Sequence, residues 1–257
     1  MSFLKVQGLS KSFGGNRAVD QVTFDLNKGE LLALIGPNGA GKSTCFNMLY
    51  GILPPDEGSV ILDGKELIGL KPRDIWRLGV GRTFQITAVY NSMSVVENVQ
   101  MALISHHRKA FSTFHRAAHL YRDQAMALLE LISMADQADR AVNILAYGDL
   151  KRLELAVALA HDPRLLLMDE PTAGMAPSER RALMKLTASI VSERGVSVLF
   201  TEHDMDVVFE NADRLLVLNR GELLAEGSVE EVRANKQVQE VYLGGGATFA
   251  SEGASHA

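Results

Sequence analysis

Residues 19–26 alternate, with Val22, Phe24 and Leu26 on one side and Thr23 and Asp25 on the other. That two-residue period belongs to a half-buried strand. Residues 31–36 (LLALIG) are instead continuously apolar, as a strand covered on both faces should be. An earlier apolar run, Phe3–Leu9, is expected to break at SKSFGGN, and LNKGE reads as a turn. Ser43–Tyr50 reads as a helix stopped by PPDEG, and GSVILDG as a further strand and turn. From about Ser94 to Ser133, and again from Leu150 to Ala160, the pattern is helical, with no clear strand before Leu165. Thereafter strands and helices alternate: LLLMDE, Ser178–Arg194, SVLFTE, Asp204–Asn211 and RLLVLN. Alternation of this kind predicts an α/β fold with a mostly parallel sheet and helices on its faces. The change of pattern in the middle predicts a helical subdomain at residues 87–160, inserted between core segments 1–86 and 161–243 of one domain. Residues 244–257 (GGGATFASEGASHA) read as a flexible tail.

The chain has 257 residues, of which 47% are apolar, enough for a substantial core. Its net charge of −5 disfavours a sequence-blind nucleic-acid binder. A lone cysteine, Cys45, excludes an intramolecular disulfide and reads as a small buried residue. The opening MSFLKVQGLSKSF lacks the apolar core of a signal peptide, and no run reaches the ~18 apolar residues of a membrane span. A membrane role therefore requires another protein to do the spanning.

The strand LLALIG runs into GPNGAGKST, the pattern G-x-x-x-x-G-K-[ST] formed by Gly36, Gly41, Lys42 and Ser43. Glycines let the backbone curl so that several N–H groups point at one anion, and the helix beginning near Lys42 adds the positive end of its dipole. In this reading Gly36, Pro37, Asn38, Gly39, Ala40, Gly41, Lys42, Ser43 and Thr44 form the nucleotide-phosphate loop. Lys42 reaches the β- and γ-phosphates and Ser43 ligates Mg²⁺. Farther on, LLLMDE ends a buried strand in two acids. Asp169 is placed for Mg²⁺ and Glu170 for taking a proton from an attacking water. SVLFTEHD repeats the arrangement and puts His203 just past a strand, a candidate γ-phosphate contact. VGRTFQ ends on Gln85, whose amide oxygen can meet a metal or a water.

Taken in order, these residues resemble the ATP-binding cassette (ABC) family of ATPases over residues 1 to about 243. GPNGAGKST is similar to that family's phosphate loop, Gln85 to its Q-loop glutamine, LLLMDEPT to its acidic motif and His203 to its switch histidine. The resemblance implies the P-loop NTPase cassette fold, with an N-terminal antiparallel β-subdomain. It also implies ATP and Mg²⁺ as cofactors, the metal held by Ser43, Gln85 and Asp169. Phe13 matches the aromatic that stacks on adenine; packing in the core is its alternative.

Residues Leu145, Ala146, Tyr147, Gly148 and Asp149 (LAYGD) occupy the signature loop, usually LSGGQ, which caps the ATP of a second cassette. Leu145 and Gly148 match, while Ala146, Tyr147 and Asp149 replace serine, glycine and glutamine. In AGMAP, residues 173–177, Ala176 stands where the family usually has aspartate. The resemblance implies a second cassette as partner, identical or not, and the Ala176 departure favours a non-identical one.

LAYGDLKRLELAVALA, EPTAGMAP and the ending EVYLG resemble the ATPase subunits of branched-chain amino acid importers. That branch implies permease partners, indirect service to a periplasmic binding protein, no nucleic acid, and a peripheral position on the cytoplasmic face of a bacterial inner membrane. A lipopolysaccharide-export cassette, a soluble DNA- or ribosome-acting cassette and a degenerate regulatory cassette are the alternatives. The basic stretch HHRKAFSTFHRAAHLYR (106–122) reads as a solvated face or one turned to anionic lipid. ITAVYNSMSVVENV, after Gln85, is expected to present exposed hydrophobes to a permease.

Overall fold

The computed structural model of the chain describes residues 2–83, 89–107 and 121–243. These fall into two compact units, one within Met1–Pro72 and Leu199–Ala257, the other within Arg73–Val198. Gln85, residues 108–120 of the basic stretch and the tail 244–257 lie outside the described residues.

In the first unit, β1 (Ser2–Phe13) and β2 (Asn16–Asn27) form a long antiparallel pair. With β4 (Glu57–Leu62) and β5 (Lys65–Glu66) they make a sheet of order β2-β1-β4-β5. Val22, Phe24 and Leu26 are buried, as their alternation demands. β1 does not break after Leu9: it runs through SKSF, with Lys11 paired to Val19 and Phe13 to Asn16. The polar residues and Gly8, at φ 58°, are absorbed by register shifts instead of ending the strand.

The buried strand β3 (Leu31–Ile35) lies parallel to β9 (Arg214–Asn219), which pairs antiparallel with β10 (Glu222–Gly227). Arg214 ties these elements together. Its guanidinium donates to Glu30 Oε1 at 2.7 Å and to the Asp25 carbonyl at 2.6 Å, and pairs with Glu226. The Glu30 bond is the main reason its pKa rises above the ordinary value. α1 (Lys42–Leu49) follows β3 and buries Cys45 and Phe46 completely. Burial pushes the Cys45 thiol up to about 12, which leaves it an inert core residue. α7 (Met205–Asn211), α8 (Val229–Ala234) and α9 (Lys236–Leu243) complete this unit. The last two are too short to establish a helical period in the sequence.

The boundary between the units falls inside β8 (Ser197–Thr201), which is buried throughout. The first unit holds the strand order β10-β9-β3, and the second holds β7-β6. There β6 (Val80–Thr83) runs parallel to β7 (Leu165–Asp169), with Arg82 opposite Leu167. Around them stand α2 (Pro72–Arg77), α3 (Val95–His106), α4 (Arg122–Leu131), α5 (Tyr147–Leu159) and α6 (Pro177–Arg194). α3 packs on α4 and α5. Ser94 caps α3, accepting from Glu97 N while its own N–H donates to the Glu97 carboxylate at 2.7 Å. Val95, Val96 and Val99, expected among the exposed hydrophobes, are buried by α3, whereas Tyr90 is exposed. Among the described residues no helix is long and apolar enough to cross a membrane.

His161, just past α5, is buried and stacks on Trp76 with ring centres 4.8 Å apart. Burial, aided by the nearby His106, depresses its pKa from the ordinary 6.5 to about 4. The unfolded state therefore binds the proton that the folded state refuses between pH 6.5 and about 4, and stability falls on acidification through that window. Chemical denaturation across this range is expected to give a falling midpoint in the wild type and a flatter profile in His161→Phe. Equal slopes would remove His161 as the cause.

Candidate functional site

The phosphate loop leaves the buried β3 at Gly36, whose φ is 153°. A side chain there would run into the Leu218 carbonyl of β9, and one at Gly41 (φ 106°) would stand 2.5 Å from the Ala18 carbonyl of β2. Both positions demand glycine on space, and Gly41 also on conformation. Between them, Gly39 has φ 79° and nothing within 4 Å of where a β-carbon would stand, so its backbone is open to a ligand. The hairpin turn joining β9 to β10 braces the loop: Gly221 N–H donates to Ala40 O at 3.0 Å, and Asp20 N–H to Gly221 O at 2.8 Å.

Gly41 is also the first residue before α1, so that helix starts uncapped. Its amide end and dipole are available to an anion. Lys42 is 6% exposed, its Nζ donating to the carbonyls of Gly36 at 2.7 Å and Pro37 at 3.1 Å. An ammonium is thus held inside the curl of the loop. Ser43 and Asn38 are exposed, and Thr44 is half-buried. A cleft of about 600 Å³ opens between the Pro37–Ala40 wall, Arg220 and the α9 residues Gln237, Glu240 and Val241. Tyr242 of α9 is buried, and burial raises its phenol pKa while a bond to the Gly36 backbone works the other way.

Phe13 stands at the tip of the β1–β2 hairpin, 51% exposed, with Lys11 Nζ 6.0 Å from its ring centre. That exposure removes core packing as its explanation and leaves a ring face for stacking. His203 is exposed one residue beyond buried Glu202, whose carboxylate accepts the His203 N–H at 3.2 Å.

In the second unit, β7 carries Asp169 to its end, buried, with Glu170 next. Arg82 of β6 reaches Asp169 at 3.5 Å, both side chains being 7% exposed. Sequence reasoning misses this pair; a basic residue inside a short buried strand is its one signal. Glu170 holds φ at 50°, a left-handed conformation that costs a non-glycine residue about 1–3 kcal/mol. Strain of this kind persists where surrounding structure enforces it. Two tight turns follow, Ala173 N–H to Glu170 O and Met175 N–H to Thr172 O, both 3.1 Å.

LAYGD starts α5 three residues earlier than its apolar pattern suggests. Ala146 is extended (φ −65°, ψ 154°) and its carbonyl accepts the Leu150 N–H at 3.0 Å. Alanine has no polar group with which to cap the helix, so the first-turn acid Asp149 complements the dipole instead, accepting from Gln137 Nε2 at 3.3 Å. Leu145 ends a 3₁₀ turn (Val142–Ile144), and Gly148 is buried in α5.

The ABC transporter family model matches residues 19–173, and that of the branched-chain amino acid ATP-binding cassette transporter matches residues 222–248. The high-affinity branched-chain amino acid transport ATP-binding protein LivG of Salmonella typhimurium is 40% identical over 251 residues, covering 94% of this chain and 97% of that protein. BraF of Pseudomonas aeruginosa, similarly named, is 40% identical over 248 residues with the same coverage. The crystal structure of the ADP conformation of MJ1267, an ATP-binding cassette of an ABC transporter, matches with a TM-score of 0.84 at 32% identity, covering 95% of this chain and 99% of that one. The likeness runs nearly the length of the molecule, and the chain belongs to the ABC transporter family as one of its ATP-binding, ATP-hydrolysing cassettes.

Proposed function

We propose that this cassette powers a bacterial importer of branched-chain amino acids or closely related small compounds, from the cytoplasmic face of the membrane. The observation that carries the reading is 40% identity to LivG and BraF across nearly the full length of all three proteins. The separate match of residues 222–248 to the model for branched-chain amino acid cassettes supports it. In this reading the cassette works with permease subunits, a second, non-identical cassette and, indirectly, a periplasmic binding protein.

ATP and Mg²⁺ are the cofactors required. The glycine positions that exclude a β-carbon, the uncapped α1 and the enclosed Lys42 ammonium suit a polyphosphate. Ser43, Gln85 and Asp169 offer the oxygen donors that Mg²⁺ takes, and the metal would supply charge neutralisation on the phosphates. Lys42 and the loop amides hold the β/γ-phosphates, Phe13 stacks on the base, and His203 contacts the γ-phosphate. Glu170 accepts the proton of the attacking water. LAYGD caps the ATP of the neighbouring cassette.

Glu170→Gln is expected to lower phosphate release by ~10²–10⁴-fold, the usual contribution of a general base; near wild-type turnover would take Glu170 out of that role. Lys42→Ala is expected to abolish tight nucleotide binding in a calorimetric titration. An unchanged ATP affinity would count against the lysine.

A further inference from the structure

LAYGD and AGMAP both depart from the family pattern, and in the second unit they lie against each other. The Tyr147 ring covers Gly174: a β-carbon added there would stand 3.2 Å from the ring's Cε1. Gly174 has φ 80°, so the segment turns in a conformation that suits glycine, and its bare backbone is the bed for the ring. In return, Glu179 of α6 covers Gly148: a β-carbon there would stand 2.7 Å from its Oε1. The other oxygen, Oε2, accepts the N–H of Ala176 at 3.1 Å. One carboxylate thus serves the first turns of two helices, α5 and α6, whose N-terminal ends both carry positive dipole charge.

Other contacts hold the arrangement. Arg180 Nε donates to the Met175 carbonyl at 2.8 Å, fixing the end of the AGMAP turn. Lys151 Nζ lies 5.6 Å from the Tyr147 ring centre and pairs with Glu154 at 3.0 Å in a buried site.

We propose that Tyr147 and Glu179 are positioning residues that clasp LAYGD onto AGMAP, so that the loop facing a neighbouring cassette and the segment leaving Glu170 move as one body. The proposal rests on the cassette reading above. Tyrosine in place of the usual signature glycine then supplies a grip within the molecule. With Ala176 lacking a side-chain acid, Glu179 supplies the one that holds the turn. Rearrangement around Glu170 passes through the two turns at 170–175 to the ring on Gly174, and from there to the start of α5.

Amide hydrogen exchange on the full-length protein tests this, with and without ATP, magnesium being withheld to prevent turnover. In Tyr147→Gly and in Glu179→Gln, peptides spanning 172–178 are expected to exchange about tenfold faster than wild type, as a locally opened segment does. Tyr147→Phe, which keeps the ring, is expected to behave as wild type. ATP is expected to change the exchange of both 145–150 and 172–178 in wild type, and to lose its effect on 145–150 in Tyr147→Gly. Wild-type exchange in Tyr147→Gly and Glu179→Gln would overturn the clasp, as would an intact ATP response at 145–150 in Tyr147→Gly. Glu179→Gln is close to isosteric and carries the exchange test if Tyr147→Gly does not fold. Full turnover in Glu170→Gln would overturn that residue's catalytic role while leaving these exchange results standing, so the two ideas fail separately.

Discussion

At Gly36 and Gly41 a backbone carbonyl stands in the space that a side chain would need, from Leu218 in the first case and Ala18 in the second. This close approach of backbone to backbone is the constraint on which the site depends. It fixes both ends of the loop against strands, so the residues between them curl in one way. The enclosed Lys42 ammonium and the uncapped start of α1 then face a shape already set. Preorganised donors of this kind cost no rearrangement when a charged ligand arrives, which is the condition under which they stabilise it most.

The second unit uses the same device differently. Glu170 is held in a left-handed conformation directly after a fully buried strand, and Asp169 beside it shares a dry environment with Arg82. As members of a buried ion pair, Arg82 and Asp169 constrain each other's position. Gly148 and Gly174 are again places where glycine admits a close neighbour, here a carboxylate and an aromatic ring. At these positions glycine marks close contact.

What could be read from the sequence followed from local chemistry. LLALI and LLLM are apolar without interruption because both faces of those strands are covered, and GPNGAGKST is legible because each residue type answers a specific steric or electrostatic need. The continuation of β1 through SKSF was not legible, because bulges let a strand carry residues that normally end one. The start of α5 at Tyr147 was hidden because Gly148 and Asp149, a poor helix former and an acid, interrupt the apolar pattern ahead of Leu150. The roles of Arg82 and Glu179 were invisible for another reason. Each acts on a residue far away along the sequence, and a single sequence carries no record of which distant positions meet.

The central claim is that nucleotide is gripped by its phosphates in a loop that only glycine at position 41 allows. Equilibrium titration of the full-length wild type and Gly41→Ala with ATP and AMP tests it most directly, with circular dichroism verifying that both are folded. The account predicts that the wild type prefers ATP over AMP by at least about a hundredfold, since each charge-assisted bond to the added phosphates contributes about 1.5–3 kcal/mol. It also predicts that folded Gly41→Ala loses that preference. Equal affinity of the wild type for ATP and AMP, or wild-type ATP binding by Gly41→Ala, would contradict it.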